Sequence, residues 1–358
     1  MEFRVETFHT ESIKPSSPTP LHLRSFELSL LDQMTPAAYI TLIFWYTGNA
    51  AADESSLEAE EISRCLKKSL SETLTRFYPF AGRINGCLVD CNDDGVDYIE
   101  ARVNCVLRDI LNPPDGEFLR EFLPIQSESN EAGTGRLLLV KVTFLECGGM
   151  AIGTKDFSFT MPAMKFKHEK AVMRRFVFDA PKISILKARA ASATVPQPTR
   201  GAYMENCNDF VAIAIAIGVA SSCQLAQTTE PPRYRTTPSA ISCLTSPENY
   251  VKKLEGSNAI STIFEAAKEV GNLSGRDDIK FYNSLSWCRF GVYEADFGWG
   301  KPIWVSLAGA SGEAPDIFVL LDARDGGIEA WVLLNEEEMG TFQRNEELLK
   351  SYNFVKLD

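Results

Sequence analysis

Hydrophobic and polar positions change period along this chain, and the changes mark out its elements. Between Leu57 and Phe77 the apolar residues Ile62, Leu66, Leu70 and Leu74 recur every fourth position, with Cys65 and Phe77 on the same side. That repeat predicts an amphipathic helix. Ser55 and Glu58 offer a capping box at its start, and Tyr78-Pro79 ends it because proline cannot continue the hydrogen-bond ladder. Weak alternation over Phe3–Phe8, and the apolar runs Ser25–Leu31 and Ala38–Trp45, read as strands. Cys87–Cys91 and Val96–Val103 read as two strands joined in a hairpin across Asn92-Asp93-Asp94-Gly95. Leu137–Phe144 is a near-continuous apolar run with one lysine and predicts a strand buried on both faces, followed by a second strand over Gly148–Thr154. Lys165–Arg175 is basic, Pro181–Ala193 reads as a helix, and Val195–Thr199 as a linker. Residues 201–245 give no good helix or strand after Gln224. Beyond them come a helix through Ile260, Ile263, Phe264 and Ala267, an aromatic-rich region from Phe281 to Tyr293, and a strand at Trp304–Leu307. Ile317–Leu321 and Ile328–Leu334 predict a hairpin, and Asn335 caps a last helix that opens on Glu336–Glu338. Strands interspersed with helices in both halves predict an α/β chain of two layered domains.

Composition narrows the function classes. A chain of 358 residues is long enough for two domains with cores of their own. Its net charge of −12 argues against nucleic acid or an anionic membrane as a partner. The apolar run Val211–Ala220 is too short to span a bilayer, and Glu2, Arg4 and Glu6 do not suit a signal peptide. Nine dispersed cysteines, without a CxxC pair, predict reduced thiols and a cytoplasmic protein. Cys87 and Cys91 are the closest two, and no second pair completes a zinc set. Asp90, Asn92, Asp94 and Gly95 look like half a calcium loop, but its twelfth position is Ala101 rather than a bidentate glutamate. No metal ligand set is therefore assigned. Cys147 lacks a histidine placed to activate it, and Gly148-Gly149 lacks the spacing of a dinucleotide loop.

Asp296-Phe297-Gly298-Trp299-Gly300 has two readings. Taken alone, it is a glycine turn with an aromatic plug. Followed by Lys301-Pro302, it resembles the C-terminal DFGWG signature of the BAHD acyltransferases. Other segments are similar to that family in the same order: Ile13 to Pro20, Ser29 to Gln33, Tyr78-Pro79-Phe80-Ala81-Gly82-Arg83, Glu131 to Gly135, and Cys147 to Gly153. The likeness is to the vinorine synthase-like branch of alkaloid and alcohol acetyltransferases. It implies a two-domain chloramphenicol-acetyltransferase-like layered fold, acting as a monomer. It also implies transfer of an acyl group from acyl-CoA, a co-substrate rather than a bound cofactor, to the hydroxyl of a small plant metabolite. In such enzymes a histidine of an HxxxD motif takes the proton from the acceptor hydroxyl. The resemblance gives DFGWG a structural role, with its aspartate held by a salt bridge.

The chain departs from that pattern where the chemistry would sit. Its three histidines are His9, His22 and His168, and none has an aspartate four residues later. Gly153-Thr154 is followed by Lys155-Asp156-Phe157, which resembles a later segment of the family, so the HxxxD helix is expected to be missing between Thr154 and Lys155. From Gly201 the likeness lapses until about residue 245, and the C-terminal domain is expected to be incomplete. No catalytic residue is assigned. Lys165, Lys167 and Arg174 are candidate contacts for the CoA phosphates; a solvated basic loop is the plainer reading of that run. The expected organisation is an N-terminal domain over 1–164, a crossover at 165–200 and a C-terminal domain over 201–358 that carries DFGWG.

Overall fold

The computed structural model describes residues 3–29, 32, 38–48, 55–111, 116–124, 136–158, 171–184, 235–238, 268, 281–308, 317–324 and 326–344. The chain divides into two compact units. The first holds residues 1–163 and 293–309, with the last two residues; the second holds 164–292 and 310–356. DFGWG, placed with the C-terminal domain when the chain is read linearly, thus groups in space with the first unit. The reason is strand pairing, described below.

In the first unit, β1 (Val5–Ile13), β3 (Ala38–Tyr46), β6 (Val96–Val103), β7 (Leu138–Leu145), β8 (Met150–Ser158) and β12 (Trp304–Ser306) form one sheet in the order β1-β6-β7-β8-β3-β12. β6 and β7 run parallel, and the other neighbours are antiparallel. The predicted helix is α1 (Ser55–Arg76). Its Leu66 and Leu74 are buried, and Ile62 and Leu70 lie against a core built from Tyr46, Val96, Tyr98, Val140, Val142, Met150 and Ile152. These are alternate residues of four strands, so one sheet face carries the core and α1 closes it.

β2 (Ser25–Glu27), β4 (Arg83–Asn85) and β5 (Leu88–Asp90) make a separate small sheet. This corrects the expected hairpin across residues 92–95: β5 pairs with β2 and β4, whereas β6 pairs with β1 and β7. The acids of that turn are drawn elsewhere. Asp93 accepts from the Thr19 hydroxyl at 2.6 Å and its amide at 3.0 Å, and Asp94 pairs with Arg83. The turn links two sheets instead of closing one hairpin.

Two short helices, α2 (Leu107–Leu111) and α3 (Gly116–Arg120), follow β6. Beyond α3, Phe122 is fully buried and packs edge-on against Trp45 with ring centroids 4.8 Å apart. Its carbonyl oxygen would lie 2.1 Å from a β-carbon at Gly153. The 122–123 backbone is thus seated on the sheet face opposite α1.

The second unit holds β9 (Ala171–Phe178), β10 (Arg235–Pro238), β11 (Phe281–Ser286), β13 (Ile317–Asp322) and β14 (Ile328–Asn335), ordered β10-β11-β13-β14-β9. β13 and β14 form the predicted hairpin, from Ile317 opposite Leu333 to Asp322 opposite Ile328. Residues 180–184 are helical, and Asp179 caps them by accepting the Lys182 amide at 3.0 Å. Asn335 likewise caps α4 (Glu336–Gln343), accepting the Glu338 amide at 2.8 Å. Met339 and Phe342 of α4 close a core of Phe176, Phe178, Phe318, Ala330 and Val332. The expected helices over 185–193 and 260–267, and the segments 201–234 and 239–245, lie outside the described residues. Among the described residues no helix is long and apolar enough to cross a membrane.

Candidate active site

β8 carries the residues after which a catalytic histidine is expected in the family. Met150, Ala151 and Ile152 are buried, and Gly153 pairs with Ile43 on one side and Lys141 on the other. The expectation ends this strand at Thr154. The structure continues it. Lys155 pairs with Thr41 and Leu139, Asp156 with Ile40 and Leu138, and the β3 ladder runs on to Ser158 opposite Ala38. The strand has no break at Thr154/Lys155 in which a catalytic loop could begin. Two antiparallel partners hold the segment because each peptide group in the middle of a sheet needs its ladder bonds.

Lys155 is fully buried, a feature the sequence pattern did not flag. It shares a sheet face with Lys141, which sits diagonally across on β7. Burial pushes the Lys141 ammonium below its ordinary range, since desolvation penalises the charged form. The Lys141 Nζ donates to the Glu121 carbonyl at 2.7 Å, just past the C-terminal end of α3. Asp156, a tempting substitute for the aspartate of HxxxD, occupies a ladder position between β3 and β7.

The histidines stand elsewhere. His9 is half exposed on β1, at the edge of the sheet farthest from β12, and its Nε2 lies 3.2 Å from Glu11 Oε1. His22 is exposed in the short turn Leu21–Leu23. His168 lies outside the described residues. His9, Glu11 and Glu100 come close enough to suggest a metal site. Its cation is already supplied by the protein: Lys67 Nζ lies 2.7 Å from Glu11 and 2.6 Å from Glu100, and the Ser63 hydroxyl donates to Glu100 at 2.5 Å. The Lys67 ammonium holds the Glu11 carboxyl below its usual value.

DFGWG forms a compact loop in the first unit. The Asp296 carboxylate accepts the Gly298 amide at 2.8 Å and the Gly300 amide at 3.0 Å, and these bonds lower its pKa. Gly298 and Gly300 have φ of 107° and 106°, and a β-carbon at either would meet open space. Glycine is needed there for backbone conformation, not for room. The ion pair that the resemblance implies for Asp296 is not among those of the described residues. Lys301 instead pairs with Glu294.

The aromatics of the loop supply its anchor. Phe297 and Trp299 stack with centroids 5.6 Å apart, and both meet Tyr46 edge-on at 6.3 and 6.4 Å. The Tyr46 hydroxyl donates to the Ala295 carbonyl at 2.9 Å. Next along, Trp304 pairs with Trp45 across β12 and β3 and stacks on it at 5.9 Å, and Trp45 Nε1 donates to the Ser306 hydroxyl at 2.9 Å. Tyr46, Trp45 and Ser306 are the supporting residues that sequence reasoning missed. The consecutive aromatics Phe44-Trp45-Tyr46 at the end of β3 were the available signal.

Lys165 and Lys167 lie outside the described residues. Arg174 is exposed on β9, the edge strand of the second unit's sheet, and donates to the Met173 carbonyl at 3.0 Å. Its neighbour Arg175 turns to the opposite face and grips buried Glu329 with two bonds of 2.7 Å.

Comparison with known proteins agrees with this geometry. The sequence profile of the Transferase family matches residues 3–161 and 246–349. An epi-neemfruitin B 7-O-acetyltransferase from Melia azedarach is 31% identical, with 99% of this chain and 98% of that protein covered. The alignment runs over 451 positions, more than the 358 residues of this chain, so the relative carries interior stretches with no counterpart here. The crystal structure of vinorine synthase superposes with a TM-score of 0.73 at 25% identity, covering 99% of this chain and all of the other. At 16% identity, Fusarium sporotrichioides TRI101, crystallised with coenzyme A and T-2, shares the fold with a TM-score of 0.61 over 92% of this chain and 98% of its own. Family profile, relatives and fold agree: this chain belongs to the Transferase family of BAHD acyltransferases.

Proposed function

We propose that this chain is a BAHD-type scaffold for moving an acyl group from acyl-CoA to a hydroxyl of a plant specialised metabolite, and that its own transfer activity is impaired. The first part rests on family membership and on the activities for which relatives are named, which include 7-O-acetylation of a plant metabolite. The donor class is supported by the coenzyme A held by TRI101, which shares the fold. The second part rests on one observation: β8 runs as an unbroken ladder from Gly153 to Ser158, in a chain that has no histidine followed four residues later by aspartate.

The proposed parts have distinct roles. DFGWG shapes the first unit through Tyr46, and its role is structural. The basic run Lys165, Lys167 and Arg174 would meet the CoA phosphates. Nothing among the described residues takes the acceptor's proton. Loss of a general base costs about 10²- to 10⁴-fold in rate, and loss of the positioning that accompanies it costs more.

The test is thioester turnover with acetyl-CoA and hydroxylated acceptors, read as release of free CoA thiol. The expected rate is at least about 10²-fold below that of the Melia acetyltransferase assayed alongside. Turnover within tenfold of the relative refutes the impairment. A second reading, a non-catalytic CoA- or partner-binding relic, is favoured by the intact DFGWG anchor beside a missing base. It predicts a CoA-induced rise in melting temperature without turnover, because a ligand that binds only the folded state stabilises it.

A further inference from the structure

We propose that Cys105 and Cys147 form a reversible disulfide that ties the end of β6 to the β7–β8 turn. β6 and β7 are parallel and pair from Asp97 opposite Leu139 to Val103 opposite Leu145. Two residues beyond that last pair, on each chain, stands a cysteine. The chains are still joined there, since the Glu146 amide donates to the Cys105 carbonyl at 3.2 Å. Both cysteines lie past the ladder's end, and Cys147 directly follows the bonded Glu146; a disulfide between them needs their α-carbons about 4.4–6.8 Å apart. Both cysteines are free thiols in this structure.

The two thiols have unequal roles. Cys147 is exposed in a tight turn closed by the Gly148 amide on the Leu145 carbonyl at 3.1 Å and the Leu145 amide on the Gly149 carbonyl at 2.9 Å. Cys105 is buried beside α2. Burial, followed by the charges of Asp109, Cys147 and Glu146, pushes its thiol up to about 11. That Cys147 is among these charges agrees with the closeness of the pair.

The oxidant is a low-molecular-weight disulfide such as glutathione disulfide. The Cys147 thiolate attacks one glutathione sulfur, the glutathione S–S bond breaks, and one glutathione leaves as thiolate. Cys105 then releases its proton to solvent, and its thiolate attacks the Cys147 sulfur, expelling the second glutathione. Two protein thiols are oxidised by two electrons, and the glutathione disulfide is reduced to two thiols. Ring closure is the slow step, because only a small fraction of Cys105 is thiolate at neutral pH. The closed loop contains α2 and α3 and the 122–123 backbone seated on β8.

The test incubates the full chain with glutathione disulfide, quenches with acid, and maps unreduced tryptic peptides by mass. A peptide pair joined through Cys105 and Cys147, two hydrogens lighter than the separate thiols, is expected. Its formation should quicken about tenfold per pH unit between pH 7 and 9. The oxidised chain should melt about 5 °C or more above the reduced one. Cys105→Ser should leave Cys147 as a stable glutathione mixed disulfide, and Cys147→Ser should leave Cys105 unmodified. The proposal is overturned if, after prolonged incubation at pH 9, the unmutated chain keeps glutathione on Cys147 with Cys105 still a thiol, or if either cysteine links elsewhere.

Discussion

Replacing Gly153 with alanine tests the packing around the site more sharply than any other single change. The new methyl group would lie 2.1 Å from the Phe122 carbonyl oxygen, 3.1 Å from its carbon and 3.4 Å from the Leu123 α-carbon. An ordinary carbon–oxygen contact is about 3.3 Å, so a gap of roughly 1.2 Å must open between two stretches of backbone. Neither side yields easily. Gly153 is held by Ile43 and Lys141 in neighbouring strands, and the opposing segment carries buried Leu119, Phe122 and Leu123. Moving that segment also lifts Phe122 from Trp45 and strains the Lys141 bond to Glu121. Overpacking costs about 1–3 kcal/mol, and partial loss of the Phe122 contacts brings the expected loss to about 3 kcal/mol. Urea unfolding followed by tryptophan fluorescence should show a lower midpoint with an unchanged slope. Gly340→Ala in α4 is the control. Its nearest neighbour is the flexible Arg344 side chain at 3.8 Å, so it should raise stability by about 0.5–1 kcal/mol. If Gly153→Ala stays within about 0.5 kcal/mol of the parent, the range of ordinary surface changes, the 122–123 backbone does not cover β8.

Three further outcomes are expected. Tyr46→Phe removes the hydroxyl donated to Ala295 and should cost about 1 kcal/mol in urea unfolding, while a double-mutant cycle of Tyr46→Leu, which removes the ring, with Trp299→Ala should show coupling between the two rings; additive losses in that cycle would contradict the anchor. Arg175→Met removes two charge-assisted bonds from the Glu329 carboxylate, which is only 2% exposed, and should cost about 3–5 kcal/mol at neutral pH, with Arg175→Met/Glu329→Gln recovering most of it. Asp296 should titrate below the ordinary 3.8 in carboxyl carbon NMR, because two backbone amides favour its charged form. Its folded-state value is depressed, so its contribution to stability is full above 3.8 and fades as pH falls through the lower folded value. Asp296→Asn should flatten that acid limb, and titration at or above 3.8 would refute the amide contacts.

How much was legible differed from element to element. The 3.6-residue repeat of Ile62, Leu66, Leu70 and Leu74 specified α1, since every turn of a helix returns to the same face. Asn335 and its glutamates specified the start of α4 through a local capping bond. The Asn92–Gly95 turn misled. Its composition suits a hairpin, but pairing is a long-range choice, and Asp93 and Asp94 were claimed by Thr19 and Arg83. The end of β8 misled too: Lys155 and Asp156 read as polar loop residues, yet the ladders to β3 and β7 carry both.

By itself the order of residues determined the family, the two α/β layers, and the absence of a histidine with an aspartate four positions on, because these are matters of type, period and spacing. Only the folded chain decided where DFGWG belongs, what holds it, and that β8 continues where a catalytic loop was expected. Period tells which face of a segment is apolar, but not which distant segment will cover it. That choice is made when Trp304 finds Trp45, when Phe297 and Trp299 find Tyr46, and when the Phe122 backbone settles into the space that Gly153 leaves.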